Sequence, residues 1–131
     1  MDEVFDFLKR NAPLFLATTD GERPYLRPVG AVNFFEGKVY VQTNREKPVG
    51  KQIAANPNAA ICVYDGKNAL RISCQLVEDM RPEAVESMLQ AYPFLREKYE
   101  AEDTDVVYCL ANGTATFAPP RTEGAPDVIK F

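Results

Sequence analysis

The chain has 131 residues, 46% of them hydrophobic and 26% charged, the balance of one globular domain spanning residues 1–131 rather than of a disordered or low-complexity chain. Its net charge of −4 argues against a nucleic-acid partner, because affinity for a phosphate backbone comes from clustered Lys and Arg. It contains no histidine, which excludes a Ser-His-Asp triad, a Cys-His pair, an ordinary catalytic zinc site and a histidine-ligated haem; if the chain is an enzyme, a cofactor is expected to carry the chemistry.

Residues 2–11 place Val4, Phe5 and Leu8 on one helical face and Asp2, Glu3, Asp6, Lys9 and Arg10 on the other, so an amphipathic helix is expected to lie on the domain as a lid. A secretory signal would be basic and then apolar, and no apolar run approaches the roughly 20 residues that cross a bilayer; a cytoplasmic protein without membrane contact is expected. Residues 14–19 and 25–34 read as strands joined at Asp20-Gly21, and 38–43 as a third strand after Glu36-Gly37. Pro48 opens a short helix over 48–55, with Asn56-Pro57 as its stop. Strands resume at 58–64 and 68–78 around Asp65-Gly66, the second alternating Leu70, Ile72, Cys74 and Leu76 with polar residues. An amphipathic helix over 81–91 breaks at Pro93 and resumes to Tyr99, and a long strand covers 105–117. Cys62, Cys74 and Cys109 are odd in number, far apart and flanked by apolar residues, so they are expected to be buried free thiols, with no metal centre. Six strands joined by tight turns fit a β-rich, antiparallel split barrel with short flanking helices, not βαβ units.

One junction carries chemistry. Residues 41–52 run from a strand end through a polar loop into a helix start, where free N–H groups and the positive end of the helix dipole can hold a phosphate. The expected cap of that helix is Lys47, which offers no acceptor, and Lys51 lies one turn on along the same face. Two ammonium groups at that end oppose the dipole by roughly a few tenths of a kcal/mol each, which a bound anion would reverse; two solvated surface lysines would show the same spacing. Upstream, Pro24 and Pro28 confine their strand to an edge or a barrel opening. Arg27 shares a face there with Tyr25 and Val29, either beside a ligand or facing solvent.

The ordered segments Arg-Pro-Tyr-Leu-Arg-Pro-Val (23–29), Gly-Lys-Val-Tyr-Val-Gln-Thr-Asn (37–44), Lys-Pro-Val-Gly-Lys-Gln (47–52), Ala-Asn-Pro-Asn (55–58), Leu-Arg-Ile-Ser (70–73) and Asp-Val-Ile-Lys-Phe (127–131) resemble the short bacterial branch of the pyridoxamine 5'-phosphate oxidase-like, FMN-binding split-barrel family. The resemblance spans nearly the whole chain. It implies FMN as cofactor, with Arg27, Pro28 and Val29 along the flavin ring and Thr43 and Asn44 by the ring or ribityl chain. It further implies Lys47 and Lys51 at the phosphate, with Gln52 nearby and Arg71 as a further contact. An FMN-dependent oxidoreductase for a small oxidised molecule is the leading expectation. The alternatives are a non-catalytic flavin carrier and a barrel that binds deazaflavin or a haem held without histidine. Dedicated oxidases of the family add a C-terminal portion for the substrate phosphate, so the named oxidase activity is not expected. A barrel this small is filled by its own side chains, so the flat ring must lie outside it; a homodimer with a composite site at its interface is expected, and the apolar tail ending in Val128, Ile129 and Phe131 is expected to dock either on its own barrel or across the two-fold axis, the resemblance favouring an interface between barrels.

Overall fold

A computed structural model describes residues 1–119 and 128–131. Helix α1 (Asp2–Arg10) is followed by strands β1 (Leu14–Thr19), β2 (Pro24–Val29), β3 (Val32–Phe35) and β4 (Lys38–Asn44). After helix α2 (Pro48–Ala55) come β5 (Asn58–Tyr64) and β6 (Ala69–Glu78), then α3 (Pro82–Ala91), α4 (Phe94–Glu102), β7 (Asp105–Ala118) and β8 (Val128–Lys130). All strand pairings are antiparallel, in the order β2-β1-β5-β6-β7-β4-β3, with β8 added to β7. This is the expected β-rich split barrel, with flanking helices where the periodicity put them.

Two features raise the strand number from six to eight. The run over 25–34 is broken at Gly30-Ala31, so β2 pairs with β1 and β3 turns away to β4. The tail segment Val128–Lys130 pairs with Thr114, Ala115 and Thr116 of β7, docking on its own barrel. The sequence after Pro119-Pro120 carries no helix or hairpin pattern; residues 120–127 of that stretch lie outside the described residues.

The turns follow their residues. Glu36 and Gly37, at φ 50° and 75°, close a two-residue hairpin. Around Gly21 and Gly66 the loops are four residues long, because Asp20 Oδ1 accepts the N–H groups of Glu22 and Arg23, and Asp65 Oδ1 those of Lys67 and Asn68. These bonds hold both carboxyls below their usual pKa range.

The barrel interior is packed by Leu14, Leu16, Val39, Ile61, Leu70 and Ile72, with α1 closing one end through Val4, Phe7 and Leu8. A second core, built on Tyr40, Val107, Val85 and Met88, seals α3 and α4 onto the other face of β4 and β7. That is why Asp105–Leu110 is buried on both faces and shows no alternation. Cys74 and Cys109 are buried free thiols as expected, and burial pushes the Cys74 thiol up to about 12. Cys62 departs from the expectation: it is exposed, because its strand points it to the outer face of the sheet, where no second layer covers it. Among the described residues no helix is long and apolar enough to cross a membrane.

Helix α2 is set by contact at Gly50, where a Cβ would run into the backbone of Asn44 and Arg45 at the end of β4. Gly50→Ala is therefore expected to destabilise the protein by about 1–3 kcal/mol. Urea unfolding checks this, and an unchanged midpoint would show that α2 can shift without cost.

Candidate functional site

The broken β2–β3 run, the end of β4, the start of α2 and the α3–α4 elbow surround a cavity of about 420 Å³. Arg27, Pro28 and Val29 supply one wall, Thr43, Asn44 and Lys47 the floor and rim. Six of the nine residues expected from sequence, those six, therefore meet at one place. The remaining wall comes from Tyr92, Phe94, Lys98 and Asp105.

Arg27 is half-buried, and burial pulls its pKa below the ordinary arginine value. Its guanidinium donates through Nη1 to Thr18 Oγ1 at 2.6 Å and Leu16 O at 3.2 Å, and through Nη2 to Gln52 Oε1 at 2.8 Å. Thr18 Oγ1 in turn donates to Gln52 Oε1 at 2.5 Å. Every acceptor in this cluster is neutral. Among the described residues the ion pairs include none to Arg27, Lys47 or Lys51, so three cations gathered about α2 have no carboxylate partner. Lys47 caps α2 in extended conformation without a side-chain cap bond, followed by Pro48, as its sequence predicts.

Lys51 and Gln52 do not line the cavity: Lys51 is exposed on α2, and the Gln52 carbonyl serves Arg27 and Thr18. Asn44 is buried, its amide donating to Thr104 Oγ1 and Asp105 Oδ1 and its oxygen accepting the Glu46 N–H, so it pins the β4–α2 loop. Arg71 stands apart on the outer face, paired in register with Cys62 and Thr116. A larger hollow of about 600 Å³ lies on that outer face, but its lining contains no charged side chain, so an anion is drawn to the smaller cavity.

Sequence reading missed Thr18, Tyr92, Lys98 and Asp105. Thr18 had a signal, a hydroxyl in the inward series Leu14, Leu16, Thr18, where a buried polar group needs a partner. Tyr92 was legible only as part of the α3 stripe; its hydroxyl accepts from Lys9 Nζ and the Val32 N–H and donates to Val32 O, fixing the elbow to β3.

The half-barrel has a cavity that opens between strand ends beside cations at a helix start, an arrangement chemically suited to a small anionic ligand. The chain belongs to the pyridoxamine 5'-phosphate oxidase family, whose model matches residues 1–119. It is similar to a NimC/NimA family protein from Clostridium acetobutylicum at 30% identity and TM-score 0.86, over 98% of this chain and 92% of that one. General stress protein 26 from Bacillus anthracis shares the fold at 12% identity and TM-score 0.72, covering 98% of this chain and 97% of the other. HutZ, the haem storage protein from Vibrio cholerae, shares it at 14% identity and TM-score 0.68, over 84% and 87%. No curated protein matches the sequence.

Thr18→Val, which keeps the shape and deletes the hydroxyl, is expected to cost about 1–2 kcal/mol by leaving Arg27 and Gln52 under-bonded. Thr18→Ser should recover most of that loss in denaturant unfolding; equal stability of all three proteins would show that the cluster contributes nothing.

Proposed function

We propose that the protein is an FMN-binding oxidoreductase subunit that moves electrons from a nicotinamide donor to a small oxidised acceptor such as a quinone or nitro compound. The observation that carries this reading is that Arg27 and Lys47 at the cavity, and Lys51 exposed one turn on along α2, have no carboxylate partner among the described residues. A phosphate monoester brings the missing negative charge, and the N–H groups at the start of α2 add to its hold. In this reading Lys47 and Lys51 bind the phosphate, Arg27 adds a third charge, and Pro28, Val29 and Thr43 face the ring system. Gln52 acts through Arg27, and Asn44 by holding the loop that presents Lys47. FMN when bound supplies the electron transfer, while this chain orients it and controls access. A haem would need an axial ligand other than histidine, of which the chain has none.

The same reading makes the working unit a cytoplasmic homodimer with composite sites. Its support is the outer face, where Pro28, Phe15, Cys62, Arg71, Thr116 and Val128 follow one another across five strand junctions. Phe15 is 46% exposed there, with Leu26 at 70%, Tyr64 at 66% and Val128 at 49% on the same side, an apolar surface of the kind that a second copy covers. Arg71 belongs to this face, and would reach a flavin only across such an interface.

The purified protein is expected to be yellow and to release FMN, not FAD or riboflavin, on denaturation. Lys47→Ala and Lys51→Ala should each weaken FMN by about tenfold to a hundredfold, the worth of a charge-assisted phosphate contact, while scarcely affecting riboflavin. Unchanged FMN affinity in the double variant would remove the phosphate site from this helix. Sedimentation should give twice the chain mass with one FMN per subunit. Oxidation of NADH or NADPH with an added quinone separates an enzyme from a flavin carrier, which would show none.

A further inference from the structure

The cavity has a second polar end that the cation cluster does not use. Asp105 opens β7, is 3% exposed and lines the cavity together with Lys98 of α4. Its Oδ1 accepts a hydrogen bond of 3.0 Å from the Asn44 amide, whereas its Oδ2 is buried without a hydrogen-bond partner. Asn44 cannot supply the missing donor, because its two amide hydrogens go to Thr104 Oγ1 and to Oδ1. Nor does Lys98: its closest approach is 4.0 Å, beyond hydrogen-bond reach, and it is to Oδ1. A buried carboxylate oxygen is costly to leave without a donor, and the residue that carries this one lines the cavity.

We propose that Asp105 Oδ2 and Lys98 Nζ clamp a carboxamide or lactam group of the bound ligand, Oδ2 accepting its N–H and the ammonium donating to its C=O. The pair selects that group by elimination. A carboxylate would meet the charge of Asp105, an amine that of Lys98, and an apolar group would leave both polar atoms bare. The proposal rests on the flavin reading above, which offers this chemistry twice: in the pyrimidine end of the flavin ring and in the carboxamide of a nicotinamide donor.

Two titrations of the full-length protein separate the sources. The first compares FMN with 3-methyl-FMN, which lacks the ring N–H; the second compares nicotinamide with 3-acetylpyridine, which keeps the C=O and lacks the N–H, on FMN-saturated protein. Wild type should prefer the N–H-bearing ligand by about tenfold in one of the two comparisons, and Asp105→Asn, which turns Oδ2 into a donor, should abolish that preference. Lys98→Met, on the exposed side of α4 and compatible with folding in any case, should weaken the preferred ligand by about tenfold. Lys51→Ala should lower FMN and 3-methyl-FMN alike. Lack of preference in both comparisons, a preference that Asp105→Asn retains, or full binding by Lys98→Met would overturn the clamp. Tight FMN binding with no preference in either comparison would refute the clamp alone; no FMN binding, with a nicotinamide preference that Asp105→Asn abolishes when the second titration is run on the ligand-free protein, would refute the flavin reading alone.

Discussion

The Arg27 guanidinium is the constraint on which the site depends. It is half-buried on the inner face of β2, where desolvation penalises its charge, yet its protein contacts are the neutral oxygens of Leu16, Thr18 and Gln52. Those contacts join β1, β2 and α2 at one point, so the charge cannot move without disturbing three elements. A cation fixed in this way, with no carboxylate within ion-pair distance among the described residues, is electrostatically incomplete. Lys47 and Lys51 add to the same deficit from α2. The protein has thus given up some stability of its own to keep a local positive field inside a chain whose net charge is −4.

The backbone makes that field reproducible. Gly50 lets α2 press against Asn44 and Arg45, and the Arg45 N–H bonds to Thr104 O, so the β4 end, the α2 start and the β7 start move as one unit. Asn44 completes the joint with its bonds to Thr104 and Asp105. Across the cavity, Tyr92 ties the α3–α4 elbow to Val32 and to Lys9 of α1. Both walls are therefore pinned by side-chain hydrogen bonds between elements, which is what precise placement of a small group requires.

Much of this was legible because local chemistry and global fold agree. The Asp-Gly and Glu-Gly turns, Pro48 at a helix start, and the alternation over 70–76 each have a local cause and survived in the structure. What was not legible depends on pairing. Nothing in the run over 25–34 marks Gly30-Ala31 as the place where the chain leaves one partner strand for another. The series Asp105–Leu110 hides its period because helices cover its second face. Cys62 looks like a core residue until its register with Arg71 and Phe15 turns it outward. Asp105 read as the polar start of an apolar strand, and becomes informative only opposite Asn44.

The two faces of the sheet divide the work between stability and binding. The inner face is packed by aliphatic and aromatic side chains, with Leu16, Leu70, Val39, Ala115 and Phe117 buried and the polar Thr18 and Arg27 bonded to Gln52 of α2, so a flat heterocycle has no room inside without emptying the core. The outer face carries the small residues Ala17, Ala60, Cys62 and Thr116 beside larger groups, Phe15 and Arg71 within it and Leu26 and Tyr64 toward its margins. Small residues let another surface approach closely, while the marginal side chains provide area to bury. The cavity is walled by β2, β4, α2 and α4, and β2 is the edge strand that belongs to both the cavity and this outer face, so Pro28 stands where the two surfaces meet and anything laid on the outer face at β2 reaches the cavity rim.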